Sequence, residues 1–163
     1  MLALRLAAYA SGMRILSMFA LTVALAACSS SKSSQAVSAD EAKSLLIDRN
    51  WLDTYPQTER DKLHVYRFVP SMGGGVFQDR TLFKGIFELF SFSATGTEIK
   101  FTLHETHDEV TSAYTIEPVD GPEPFDLKLT IPDDPRGPKI YYGIKAETDV
   151  DGHLLEQRLA AKH

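Results

Sequence analysis

The stretch from Gly85 to Glu117 is rich in apolar residues set between polar ones and organises the chain. Ile99, Phe101 and Leu103 fall between Glu98, Lys100, Thr102 and His104, the period of a strand with one face on a core. Gly85 to Ser93, Glu98 to Thr106 and Thr111 to Glu117 therefore predict an antiparallel meander, turning first at Thr95-Gly96-Thr97. The same pattern marks Lys62 to Val69 (ended by Pro70), Val76 to Arg80, Phe125 to Ile131 and Lys139 to Lys145. Gly73-Gly74-Gly75 predicts a loop, because glycine gains too little on ordering inside an element. Asp120-Gly121-Pro122 and the stretch from Pro132 to Pro138 read as turns.

A helical signal appears twice. Ser38 with Asp40 and Glu41 behind it forms a capping signature, and Leu45 and Leu46 supply an apolar face, so a helix is expected to about Asp48. The last segment is ambiguous. Asp151-Gly152 is a hairpin signal, whereas Leu154 to Lys162 is built of helix formers. The expectation is a closing strand from His153 to Ala160, with a helix as the alternative.

Counting the segment of Trp51 and the last one gives eight or nine strands joined mostly by short turns. A sheet of that size must manage its edges, and closing on itself is the usual solution. The fold class is therefore mainly β: one antiparallel up-and-down barrel with a short N-terminal helix, a β-sandwich being the alternative. The expected core comprises Phe68, Phe87, Leu89, Phe101, Leu103, Ile116, Leu127 and Tyr142. Nine Phe and six Tyr are more than a chain of 163 residues needs for a tight sandwich.

The first 27 residues follow other rules. Behind Arg14 runs an apolar stretch from Ile15 to Ala27, interrupted only by Ser17 and Thr22 and ending in Leu25-Ala26-Ala27-Cys28. This resembles the lipobox of bacterial lipoproteins. The resemblance implies that Cys28 receives a diacylglycerol, that the chain is cut before it, and that the new amine is acylated. The run is shorter than the ~20 residues of a spanning helix. Ser29 after the cysteine implies sorting to the outer membrane, facing the periplasm. Met13 is the better placed start, since Met1 to Gly12 adds a second apolar stretch that such a signal does not need. Residues 1–27 are thus expected to be a signal peptide and 28–37, rich in serine, a flexible tether. Residues 38–163 would be the barrel, with membrane lipid as partner through the acylated Cys28.

Composition narrows the rest. With 44% hydrophobic and 24% charged residues the chain suits one domain, and its net charge of −5 leaves no basic patch for nucleic acid. A single cysteine excludes an internal disulfide. The glycine triplet lacks the lysine and the following helix of a phosphate loop. His104-Glu105-Thr106-His107-Asp108-Glu109 offers metal-type ligands, but His104 and His107 would point to opposite faces of a strand. A solvated hairpin tip is the expectation there. No Gly-X-Ser-X-Gly elbow is present, and the only cysteine goes to lipid. Nothing calls for a cofactor, a metal or an enzymatic activity.

The region from about Leu45 to Leu159 is similar to the lipocalin-like, or calycin-type, small barrels, in which a short helix precedes a tryptophan that opens the first strand. Trp51 occupies that position. The resemblance implies an arginine from the last strand packed across it, and Arg158 matches, although Asn50 stands where the family shows Gly-X-Trp. Two functions follow. The barrel either binds a small apolar ligand or is a structural or interaction lipoprotein of the envelope without a ligand cavity. An aromatic-lined cavity favours the first, a filled interior the second.

Overall fold

In the computed structural model the described residues are 35–121, 123–146, 148, 157–158 and 160–161. The chain first becomes regular at α1 (Ala39–Leu46). Ser38 caps it, its hydroxyl accepting from the Glu41 amide at 3.4 Å, and Asp40 and Glu41 sit at the positive end of the helix dipole. The helix buries Ala42, Leu45 and Leu46, and stops two residues before Asp48.

Nine strands follow: β1 (Asn50–Leu52), β2 (Leu63–Val69), β3 (Gly74–Arg80), β4 (Gly85–Ala94), β5 (Glu98–Leu103), β6 (Glu109–Ala113), β7 (Thr115–Pro118), β8 (Leu127–Thr130) and β9 (Ile140–Gly143). All pairings are antiparallel, in the order β6-β5-β4-β3-β2-β1-β9-β8-β7. The two outer strands of that order are consecutive in sequence, with only Tyr114 between them. One stretch of chain thus bends at Tyr114 and passes from pairing with β5 to pairing with β8, wrapping the sheet into a nearly closed barrel. The Tyr114 amide donates to the Thr97 carbonyl at 2.9 Å and its hydroxyl to the Thr95 carbonyl at 2.8 Å, which fixes the corner. The expected strand from Thr111 to Glu117 is therefore one strand with a corner in it.

The barrel interior is a cluster of rings and aliphatic side chains. Trp51, Tyr66, Phe68, Phe90, Phe101 and Tyr141 are all at most 1% exposed. Tyr66 lies 4.8 Å from Phe77 and 5.1 Å from Tyr141 between ring centroids, and Phe68 lies 5.1 Å from Phe92. Burying each such ring contributes about 1.5–3 kcal/mol. Helix α1 covers one end. There the Trp51 indole donates to the Leu46 carbonyl at 3.0 Å, satisfying one of the acceptors that a helix leaves open at its C-terminus. A smaller cluster (Leu52, Leu63, Val65 and Phe125, with Tyr55 and Tyr142) lies on the outer side of β1 and β2. Residues 33–163 form a compact unit, so a chain beginning at Ser33 keeps both clusters and every strand.

Four sequence expectations need correction. Phe87 and Leu89 are 68% and 47% exposed, so β4 turns Phe90 and Phe92 inward instead. Apolar residues occupy both parities of that strand, and a one-residue shift exchanges its faces. Tyr142 belongs to the outer cluster, while Tyr141 points inside. Of the glycine triplet only Gly73 is a loop residue, with φ at 77°; Gly74 and Gly75 begin β3. A side chain at Gly75 would meet the Phe90 ring at 2.4 Å, so β3 and β4 can approach there only without one. The last segment is helical at Gln157, Arg158, Ala160 and Ala161, not a strand. The corner at Tyr114 already brings the sheet round to a nearly closed barrel, and helix formers take their local preference.

Candidate functional site

The end of the barrel opposite α1 is closed by the loop between β8 and β9, residues 131–139. This loop is fastened on both sides: the Asp133 amide donates to the Ser112 hydroxyl at 3.1 Å, and the Ile131 amide to the Lys139 carbonyl at 2.9 Å. It carries Asp134 into the mouth. The Tyr66 hydroxyl donates to one carboxylate oxygen at 2.8 Å, the Tyr141 hydroxyl to the other at 2.6 Å, and the Arg136 amide adds a third bond at 2.7 Å. The Arg136 guanidinium lies 5.6 Å from the centre of the Phe77 ring and reaches Glu88 on β4 and Glu105 beyond β5. Beside it His64 stacks on Phe77 at 5.7 Å and pairs through Nδ1 with Asp53 at 2.6 Å.

Burial raises the Asp134 carboxyl above the ordinary carboxylate range, and the bonds from Tyr141, the Arg136 amide and Tyr66 oppose that shift. Burial also raises both phenols, and the neighbouring Asp134 charge adds to it. The Tyr114 phenol at the corner is pushed up to about 12 by burial. The sign of the linkage follows. Below pH ~10, the ordinary tyrosine value, folded and unfolded chains hold the same phenolic protons. Above it the unfolded chain releases them while the folded barrel keeps them, so stability falls as pH rises. Tyr66 and Tyr141 together should remove about 3 kcal/mol per pH unit beyond pH ~10. Urea titrations followed by Trp51 emission test this, and a midpoint that stays level through that range would contradict it.

The mouth is thus filled by a polar plug whose carboxylate is fully bonded, while the buried Arg136 Nε has no hydrogen-bond partner among the described residues. Among the described residues no group of three His, Cys, Asp or Glu side chains could hold a metal ion. His104 and His107 belong to the tight turn between β5 and β6. His107 takes φ of 63° and donates its amide to Leu103, and His104 bonds the Ser91 hydroxyl at 2.9 Å on the outer surface. Serine and imidazole at that distance make a nucleophile–base pair only in part. Among the described residues no carboxylate orients the other ring nitrogen. Next to the pair a pocket of about 100 Å³ is lined by Met72, Gly73, Gly74, Leu89 and His104 among others.

The residues singled out in sequence are spread over the molecule. Trp51 is fully buried at the α1 end, with the Gly143 backbone against its six-membered ring, where an added Cβ would come within 2.9 Å. Arg158 accepts through its carbonyl a bond from the Tyr55 hydroxyl at 3.1 Å. The arginine tied across β1 and β9 is Arg49, which is 4% exposed and donates to the Ile144 carbonyl at 2.6 Å. Cys28 lies outside the described residues. Sequence reading passed over Tyr66, Tyr141, Asp134 and Arg136. Two tyrosines at inward parity carried the signal, because a buried hydroxyl requires a partner and so a polar group must enter the barrel.

Fold and site together define a lipocalin-like antiparallel barrel with a packed interior, covered by a helix at one end and by a polar loop at the other. No family model, no curated protein and no solved structure matches the chain.

Proposed function

We propose that this chain is a lipid-anchored protein of the bacterial cell envelope whose barrel is a solid body, acting through its outer surface and not through an internal ligand. The packed interior carries this reading. Tyr66, Phe68, Phe90 and Phe101 meet ring to ring along the barrel axis, and Asp134 and Arg136 fill the mouth. A ligand the size of a fatty acid would have to displace that core. Anchoring rests on the Leu25-Ala26-Ala27-Cys28 signature, and outer-membrane sorting on Ser29. Acyl chains contribute about 0.8 kcal/mol per buried methylene, so several on one N-terminus hold durably.

Two measurements test the proposal. Cys28→Ala should move the protein from the membrane fraction to the soluble one and abolish incorporation of radiolabelled fatty acid. Retention on the membrane with full labelling overturns the anchor. Native mass spectrometry of the barrel taken from its own envelope should give the mass of the polypeptide alone. A stoichiometric co-purifying small molecule would reinstate the ligand-binding reading, with the pocket beside Met72 and Leu89 as the first place to look.

A further inference from the structure

We propose that the outer face of β3 and β4 is a bilayer-contact surface, on which the barrel lies sideways against anionic lipid. Large apolar side chains are exposed along it. Phe83 is 74% exposed in the β3–β4 turn, Phe87 68% on β4 and Met72 73% at the other end of the barrel. Leu89 lies between Phe87 and Met72, and pairs across the sheet with Val76. The strip therefore follows β4, whose ten residues span about 34 Å.

Charge identifies the occupant. The chain has 22 acidic and 17 basic residues, yet this face runs against that balance. The outward positions of β3 and β4 and the turn between them hold Arg80 and Lys84 and no Asp or Glu. The acids of these strands, Asp79 and Glu88, turn instead to the mouth, where they meet His64 and Arg136. Aromatic residues flanked by cations suit a headgroup layer, with the rings entering the acyl boundary and the ammonium reaching phosphate. A second copy docking through the same patch about a two-fold axis along the strip would oppose cation to cation. Pairing by strand addition is closed as well, because β4 is flanked by β3 and β5. The nine residues from Ser29 to Val37 reach up to ~30 Å, enough for an anchored barrel to lie on its side. That last argument rests on the anchor proposed above; the surface itself does not.

The test uses the chain from Ser33 to His163, which lacks Cys28, so its outcome is independent of the anchor. Flotation is measured with vesicles of phosphatidylethanolamine and phosphatidylglycerol, and with phosphatidylcholine alone. The barrel should float with the anionic vesicles and markedly less with the neutral ones. Phe83→Ser with Phe87→Ser should weaken binding by about tenfold or more, and Lys84→Glu by about fivefold or more. Lys43→Glu, the same charge change on α1, should leave binding as it was. All four positions are solvent-exposed, and an unchanged Trp51 emission verifies that the variants are folded. Three results overturn the proposal: no flotation, an equal loss with Lys43→Glu, or a wild-type dimer that Phe87→Ser converts to monomer.

Discussion

Asp134→Ala is expected to cost the barrel about 3–5 kcal/mol, the scale for removing one partner from a buried charged network. The loss is not of one bond. The hydroxyls of Tyr66 and Tyr141 and the amide of Arg136 all donate to this carboxylate, so its removal strands three donors at a mouth that water reaches poorly. Asp134→Asn keeps one acceptor oxygen and should recover roughly half of that cost. The measurement is urea unfolding followed by Trp51 emission, since the only tryptophan is fully buried at the far end of the barrel and reports global unfolding. A change below about 1 kcal/mol for the alanine variant would mean that solvent enters the mouth and replaces the carboxylate.

Trp51→Ala should be comparably severe at the opposite end, about 3–5 kcal/mol. Three features are lost together. The ring leaves a cavity under α1, the Leu46 carbonyl loses its donor, and Gly143 loses the surface against which its bare backbone packs. Trp51→Phe refills most of the volume without restoring the hydrogen bond, so it should fall between wild type and alanine. Hydrogen exchange adds a positional check. The amides of α1 and β1 should lose protection first in the alanine variant, before those of β4 and β5. Simultaneous loss everywhere would show that the helix end has no stability of its own to lose.

Most strands were legible because alternation of residues such as Ile99, Phe101 and Leu103 leaves one choice of face. At β4 that logic failed, since Phe87 and Leu89 compete with Phe90 and Phe92. Only the neighbours across the sheet, Gly75 and Leu103 opposite Phe90, decide which pair goes inside. The corner at Tyr114 was hidden for a related reason. Its break is made by bonds to Thr95 and Thr97, a turn about twenty residues away in the chain, and no local signal records it. The mouth was the least legible part. Asp133-Asp134-Pro135 has the composition of any exposed turn, and only the inward tyrosines on β2 and β9 give Asp134 its role. Arg158 illustrates the converse. A residue chosen for a place in a last strand stands in a helical segment, because the nine strands of the described residues already wrap into a nearly closed barrel.

The bend at Tyr114 also bears on how the barrel can meet other molecules. A single run of backbone forms both outermost members of the sheet, so among the described residues each open edge is short, five residues on β6 and four on β7, which limits how far it can template a neighbouring molecule. Val37 further occupies part of what remains, donating its amide to Ile116. Edges that short favour contacts made by side chains over strand addition.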